Sequence, residues 1–427
     1  MKIPKLKSPF YITLFLTTKC NQYCNFCYLD CKSDGKNLSL KNAKTILERC
    51  ADADIFGINL SGGEPTLNPH FDEILKYSKE FDFFVGITTN GQFDEKIRNI
   101  IEKYVDGCSI SIHGFKNTHN KLTNKKDSYQ TALKNIKEFQ TAIPVQISFT
   151  LTKKNIGELY PFCKSILEDY DVYGIGFNRL IPIGRGKNVD QLSIEDYQHA
   201  FSQIYKLKQE YKNKIIELAD AFPLCLAEER YRELIRGCDA GFTYCAIDVE
   251  GNVKVCPASD IVIDNLLTKS FEEIWTNSEK LDATRNLEWV PESCSQCSVL
   301  SECMCGCRAS YNNVHDILLI QEKPKPISKI SIKKSTFRKK YLPEGRPKIK
   351  SNVKIREDIP GYILYHPKTS VLVLNETAKE ILDLCDGTKN IEEISNYLSK
   401  KYDINKEYVE KDVQAFLKKL EPFLEYV

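Results

Sequence analysis

Between residues 11 and 180, short apolar runs rich in β-formers alternate with longer stretches whose apolar residues recur at helical spacing. The runs fall at 11–16, 55–60, 83–88, 108–112, 145–151 and 174–178, and the helical patterns near 39–50, 71–80, 93–104, 129–139 and 156–169. Strand then helix, repeated about six times, predicts a parallel sheet in an α/β fold. Six units predict a partial (β/α)6 barrel rather than a closed ring of eight. Function in such folds gathers at the C-terminal ends of the strands.

Downstream the pattern changes. A helical stretch at 193–217 leads into 225–307, which is rich in cysteine, poor in periodicity and expected to be held together by metals. The last stretch, 352–427, reads as a small α+β domain. It has strands at 361–365 and 370–374 and a helical face at Ala378, Ile381, Leu382 and Cys385. Asn390 and Glu393 form a capping-box start, and Val409, Val413, Phe416 and Leu420 mark a third helix. The expected division is 1–190 for the barrel, 191–321 for the bridging helix and cysteine-rich domain, 322–351 for a linker and 352–427 for the closing domain. A chain of 427 residues is expected to hold two or three domains.

Charge sharpens the linker. Residues 322–350 carry eleven Lys and Arg against two Glu, a local +9 in a chain of formal charge +2, so the rest carries −7. With four prolines and no long apolar stretch, this run reads as an extended solvated tether. No run approaches the ~18 apolar residues of a membrane span. The first residues lack the apolar core of a signal peptide. Seventeen cysteines are therefore expected as reduced thiols in the cytoplasm, where clustered cysteines mean metal.

The most specific cluster is Cys20, Cys24 and Cys27, directly after the first strand. Three thiolates can hold three irons of a [4Fe–4S] cluster and leave the fourth open; a zinc site is the alternative for any cysteine cluster. Ser61, Gly62, Gly63, Glu64 and Pro65 follow the second strand. Two glycines allow close backbone approach to a ligand, and Glu64 offers a carboxylate to a positive ammonium. The spacing C-x3-C-x2-C with Phe26 before the last cysteine, followed by Gly-Gly-Glu, resembles the radical S-adenosylmethionine (SAM) superfamily. The resemblance implies that SAM chelates the open iron and is cleaved to a 5′-deoxyadenosyl radical. It implies SAM contacts at Gly62, Gly63 and Glu64, and at later strand ends through Thr89, Asn90, Ser111 and Asn178, with His113 and Arg179 close by. Relatives place an Arg near the position of Thr123, and this chain does not.

The second cysteine field runs Cys238, Cys245 and Cys256, with Gly251 five positions before Cys256, then Cys294, Cys297, Cys303 and Cys307. This resembles the SPASM extension, which carries two auxiliary iron–sulfur clusters. By that resemblance Cys238, Cys245, Cys256 and Cys307 ligate auxiliary cluster I, and Cys294, Cys297 and Cys303 ligate auxiliary cluster II. The further cysteine expected after Cys307 is missing before Cys385. Cys305, His315, Asp316 or an open iron are the alternatives, and Cys225 is an unassigned thiol. Cys50, Cys108, Cys163 and Cys385 sit in apolar-periodic surroundings and are expected to be structural, as is Cys31.

The stretch from Ser370 to Ile394 resembles the PQQ-biosynthesis protein D (PqqD) family, a winged-helix-like recognition element of peptide-modification systems. The resemblance implies a leader peptide added as a strand at 370–374, facing the helix around 408–420. The module's acidic balance argues against nucleic acid. The chain is thus expected to be a radical SAM/SPASM maturase of a ribosomally made peptide, forming a thioether or carbon–carbon cross-link. Its electron would come from a reduced flavodoxin or ferredoxin-type donor, with no nucleic-acid or membrane partner. The rivals are a radical SAM enzyme of cofactor or haem biosynthesis and a non-catalytic iron–sulfur protein that recruits a peptide.

Overall fold

The computed structural model describes residues 5–139, 142–287, 289–290, 292–311, 342–343, 345–359, 361–366 and 371–427. Outside these lie most of the basic run at 322–341, His315, Asp316 and Ser370. The chain forms two compact units, one spanning Ser8–Ile330 and one joining Lys2–Lys7 to Ser331–Val427. The barrel and the cysteine-rich region therefore share one unit.

In the first unit the six expected strands are present: β1 (Tyr11–Thr17), β2 (Gly57–Gly62), β3 (Phe84–Thr89), β4 (Gly107–Ser111), β5 (Val145–Thr150) and β6 (Gly174–Asn178). They pair in sequence order, all parallel. Helices α1 (Leu40–Asp52), α2 (Phe71–Ser78), α3 (Glu95–Tyr104), α4 (Lys116–Thr123), α5 (Ser128–Phe139) and α6 (Leu159–Asp169) connect them. In α1 the Ser39 side chain accepts from Asn42 N, satisfying an otherwise unpaired amide at the helix start. The same helix buries Ala43, Ile46, Leu47 and Cys50 on one face. β1 is buried along almost its whole length, as a central parallel strand covered on both faces should be.

Three features depart from the expected pattern. Helix α7 (Ile194–Glu210) stops seven residues short of 217, and Ile215–Leu218 forms strand β7 beside β6 instead. The β-branched pair Ile215 and Ile216 favours that outcome. Helix α4 was not foreseen, because its sequence is polar and only His119, Leu122 and Thr123 are buried. The cysteine-rich region is also less irregular than expected. β8 (Tyr244–Ile247) pairs in parallel with β1, and β9 (Asn252–Lys254) and β10 (Val262–Asn265) continue the sheet antiparallel. The result is a ten-stranded sheet in the order β10-β9-β8-β1-β2-β3-β4-β5-β6-β7, a partial barrel whose two end strands do not pair. Helices α8 (Phe271–Asn277) and α9 (Glu279–Arg285) follow, and short helical turns carry the last cysteines.

The second unit contains a two-stranded ladder of β11 (Pro347–Ile349) with β15 (Leu424–Tyr426). It also holds a three-stranded antiparallel sheet, β12 (Lys354–Asp358), β13 (Gly361–Tyr365) and β14 (Val371–Leu374). Helices Glu376–Asp383, Ile391–Tyr402 and Lys406–Leu420 enclose a core of Leu364, Leu374, Leu382, Ile394, Leu417 and their neighbours. Asn390 and Glu393 form the expected capping box. Arg356 and Asp358 make a buried ion pair at 2.6 Å, and Asp358 Oδ1 accepts from Lys7 N at 2.8 Å.

Candidate functional site

The strand order brings the C-terminal ends of β1 to β4 and β6 to one end of the sheet. Cys20, Cys24 and Cys27 leave β1 there, Gly62–Glu64 leave β2, Thr89 and Asn90 leave β3, and Ser111 and Asn178 end β4 and β6. The β2 turn is joined to the start of the cysteine loop by backbone bonds. Gly63 N donates to Thr17 O at 2.8 Å, and Glu64 N donates to Lys19 O at 2.7 Å. A Cβ on Gly63 would lie 2.0 Å from Lys19 O, and one on Gly62 2.2 Å from Thr17 O. Only glycine permits this approach, so the Gly-Gly pair is explained first by chain packing.

Glu64 is fully buried. Its carboxylate accepts from Thr89 Oγ1 at 2.7 Å, Thr66 Oγ1 at 2.7 Å and Asn90 N at 2.8 Å. Burial nevertheless holds its carboxyl above the usual range. Glu64 thus ties the turn after β2 to the turn after β3. Asn90 Nδ2 in turn donates to Asn21 Oδ1 at 2.8 Å and approaches Cys20 Sγ at 3.7 Å. Asn178 is tied to Ser148 Oγ at 2.7 Å. Thr123 is buried and gives its carbonyl to Tyr23 N at 3.1 Å. Arg179 points into the wall: it donates to Ala221 O, and its guanidinium lies 4.7 Å from the Phe222 ring centre.

The cysteine loop is gripped from two sides. The end of α4 takes Tyr23 N and Asn25 N onto the carbonyls of Thr123 and Leu122. From the β6 side, Arg185 donates through Nε to Cys24 O at 2.7 Å and through its terminal nitrogen to Cys31 O at 2.9 Å and Asp30 Oδ1 at 2.8 Å. Its backbone N donates to Cys27 O at 2.9 Å, and its guanidinium lies 3.9 Å from the Tyr23 ring centre. Gly184 has φ +55°, and a Cβ there would lie 2.5 Å from Tyr28 O. Sequence reasoning stopped at Arg179 and missed Arg185, although the flanking glycines were a legible turn signal.

Burial pushes the Cys20 thiol up to about 11 and raises that of Cys24, while a hydrogen bond from Cys31 pulls Cys27 down. Buried thiolates need a compensating positive charge, which iron supplies. His113 is fixed as a neutral ring. It accepts Thr150 N on Nδ1 at 3.1 Å, leaving the proton on Nε2, and packs edge-on against Phe26 at 4.8 Å. Its neighbour His119 accepts His113 N, and its Nε2 lies 2.7 Å from Ser128 Oγ, which also receives Gln22 of the cysteine loop.

In the second field the thiols separate into two groups. Cys238, Cys256 and Cys307 interact electrostatically with one another, and Arg308 lies against Cys238 and Cys256. Cys245 is not with them. It sits on β8 opposite Ile12, fully buried, with the thiol of Cys50 of α1 nearby. Residues alternate faces along a strand, so Tyr244 faces Thr13, Tyr28 and Cys256 while Cys245 faces α1. The other group holds Cys294, Cys297 and Cys303. Among the described residues no three His, Cys, Asp or Glu side chains converge tightly enough for a single ion. Thiolate-only donor sets of this kind are the usual holders of iron–sulfur clusters. The donors fit iron–sulfur clusters.

A cavity of about 640 Å³ opens beside the cysteine loop, lined by Tyr23, Lys121, Lys153, Lys154, Arg185 and Asp190 among others.

Comparison with known proteins accords with this geometry. Family models match at residues 14–164 (radical SAM superfamily), 238–298 (iron–sulfur cluster-binding domain, SPASM) and 361–421 (coenzyme PQQ synthesis protein D). The chain carries a radical SAM domain and is an enzyme, using a [4Fe–4S] cluster with SAM and auxiliary iron–sulfur clusters. More particularly, it is a radical SAM protein with SPASM and PqqD domains. It is 26% identical to the AdoMet-dependent heme synthase of Methanosarcina barkeri, over 75% of this chain and 97% of the relative. It is 28% identical to the mycofactocin maturase MftC of Mycobacterium tuberculosis, over 71% and 80%. The fold matches Streptococcus suis SuiB bound to S-adenosylmethionine with a TM-score of 0.62 at 18% identity, covering 72% of this chain and 75% of that one.

Proposed function

We propose that this enzyme modifies a ribosomally made precursor peptide, forming a thioether or carbon–carbon cross-link. The observation that carries this is the open edge of β14 in the unit matched to PqqD. Among the described residues β14 pairs only with β13, with Val373 47% exposed. Tyr408, on the helix expected to face that edge, is 69% exposed. An extended leader would add to the free edge through backbone bonds, with alternate side chains setting selectivity. The relative MftC is a maturase, and SuiB has been solved with its precursor peptide SuiA.

At the barrel, Cys20, Cys24 and Cys27 would hold the cluster. Gly62, Gly63, Thr89, Asn90, Ser111 and Asn178 would line SAM, with Glu64 acting through Asn90. When bound, cluster and SAM together supply a 5′-deoxyadenosyl radical that takes hydrogen from an unactivated C–H. The residues' part is to seat the loop, shield it and exclude water. A flavodoxin- or ferredoxin-type donor in the cytoplasm would supply the electron; the cationic cavity beside the loop suits an acidic donor. Among the described residues no helix is long and apolar enough to cross a membrane.

The match to a heme synthase over nearly that relative's whole length keeps a small-molecule reading alive. Co-expression with a short neighbouring reading frame, followed by mass spectrometry, decides between them. Loss of two hydrogens per modification is expected. An unmodified peptide together with turnover of a porphyrin substrate would replace the peptide reading.

A further inference from the structure

The SPASM resemblance leaves auxiliary cluster II one ligand short, because no cysteine follows Cys307 before Cys385. We propose that Cys225, upstream of the SPASM motif, is the fourth ligand of that cluster, together with Cys294, Cys297 and Cys303. The assignment rests on the auxiliary-cluster reading of this region and not on the identity of the substrate.

Three contacts place the 223–225 segment against the last cysteines. Leu224 N donates to Cys303 Sγ at 3.3 Å. Leu224, Val299 and Cys303 form one buried apolar cluster, with Cys297 packed on it. A Cβ on Gly306 would lie 2.4 Å from Pro223 Cδ, so the turn after Cys303 lies directly on Pro223. Cys225 is the next residue after Leu224, and its thiol interacts with those of Cys303, Cys294 and Cys297. The thiol is partly buried in this group, and backbone amides of Leu224 and Cys305 donate to the Cys303 sulfur. N–H donors of this kind orient thiolate ligands and tune the clusters they hold.

The obvious competitor is Cys305, inside the motif itself. Its thiol already donates to Cys294 Sγ at 3.5 Å. Two sulfurs in contact are too close to end on different irons of one cluster. Cys305 also sits in a turn of three successive left-handed residues, with φ of 51°, 59° and 75° at Met304, Cys305 and Gly306. Cys307 belongs with Cys238 and Cys256. Cys305 is therefore a hydrogen-bond donor to a ligand, and Cys225 supplies the iron bond.

The test uses full-length protein with Cys20, Cys24 and Cys27 replaced by Ala, so that only auxiliary iron is counted. This parent should bind about eight irons. Adding Cys225→Ala should make one cluster labile: iron falls to about four after mild chelation, and a small exogenous thiol supplied during reconstitution restores it. Adding Cys305→Ala should leave both clusters in place. In the chain with its triad intact, Cys225→Ser should keep SAM cleavage, which reports a folded barrel, while the reduction potential of one auxiliary cluster moves. Full iron retention and an unchanged electron paramagnetic resonance spectrum in Cys225→Ala would overturn the assignment. So would loss of iron in Cys305→Ala alone, or an unmoved potential in Cys225→Ser. A parent with no auxiliary iron would remove the cluster and the assignment together. No peptide is needed, so the outcome is independent of the maturase reading.

Discussion

His119 shows how a single buried side chain ties the cysteine loop to solution pH. It is fully buried, and burial lowers its imidazole to about 4 from an ordinary value near 6.5. The unfolded chain therefore binds a proton between those values that the folded chain does not. Stability is full above about pH 6.5 and falls as the pH drops toward 4, by about 2 kcal/mol at pH 5. His119→Asn should cost stability at pH 7 but flatten this dependence. Comparing melting temperatures of the two proteins at pH 7 and pH 5 checks it; parallel losses would show that His119 is not the sensor. Glu64 offers a second residue-scale expectation. Glu64→Ala removes the acceptor of Asn90 N, leaving a buried amide unpaired at a cost of about 1–3 kcal/mol. SAM affinity, measured by calorimetry on reconstituted protein, should weaken while the triad still binds iron. At this scale the sequence made the triad plain, because three thiols at fixed spacing are a chemical statement. It did not show the bonds from Thr89 and Asn90 to Glu64, because a carboxylate after two glycines looks the same whether it faces a ligand or a buried turn. The surroundings of Cys245 were hidden for a similar reason: spacing along the chain does not say which face of β8 it takes.

Among the elements, the six strands were legible because each is a short apolar run between turn residues. The pairing of β8 with β1 was not, since nothing local says that residues 244–247 return to the centre of the sheet. A fragment ending at 190 would leave the backbone edge of β1 unpaired and apolar, a surface that recruits other strands. It should be insoluble or aggregated by light scattering, whereas a fragment ending at 311 should not be. In the second unit, Asp358 accepts from Lys7 N and pairs with Arg356, both buried. Asp358→Ala removes the carboxylate from that buried pair. Breaking a buried pair from one side costs about 3–5 kcal/mol, and the thermal transition of this unit should fall accordingly. An unchanged transition would mean that water reaches the pair.

For the whole molecule, the barrel and the region matched to PqqD lie in separate compact units. Deleting 352–427 should leave cleavage of SAM to 5′-deoxyadenosine intact and abolish modification of a full precursor. Modification at the normal rate would refute leader recognition by that unit. The long basic run explains why two domains could be read from sequence at all, since its composition cannot build a core. The sequence did not predict that barrel and auxiliary region would form one body, because that union depends on a pairing between strands some 230 residues apart.

Arg185 also has a consequence for the protein's birth. It holds Cys24 O from 161 residues further along the chain. On a ribosome adding about 5–20 residues per second, the cysteine loop is exposed for roughly 8 to 30 seconds before its clamp is even synthesised. Iron delivered in that interval would meet three reactive thiols on a loop with nothing beneath it. Secure loading waits for the clamp, so maturation of the first cluster is timed by the arrival of Arg185 after β6 and not by the appearance of its cysteines.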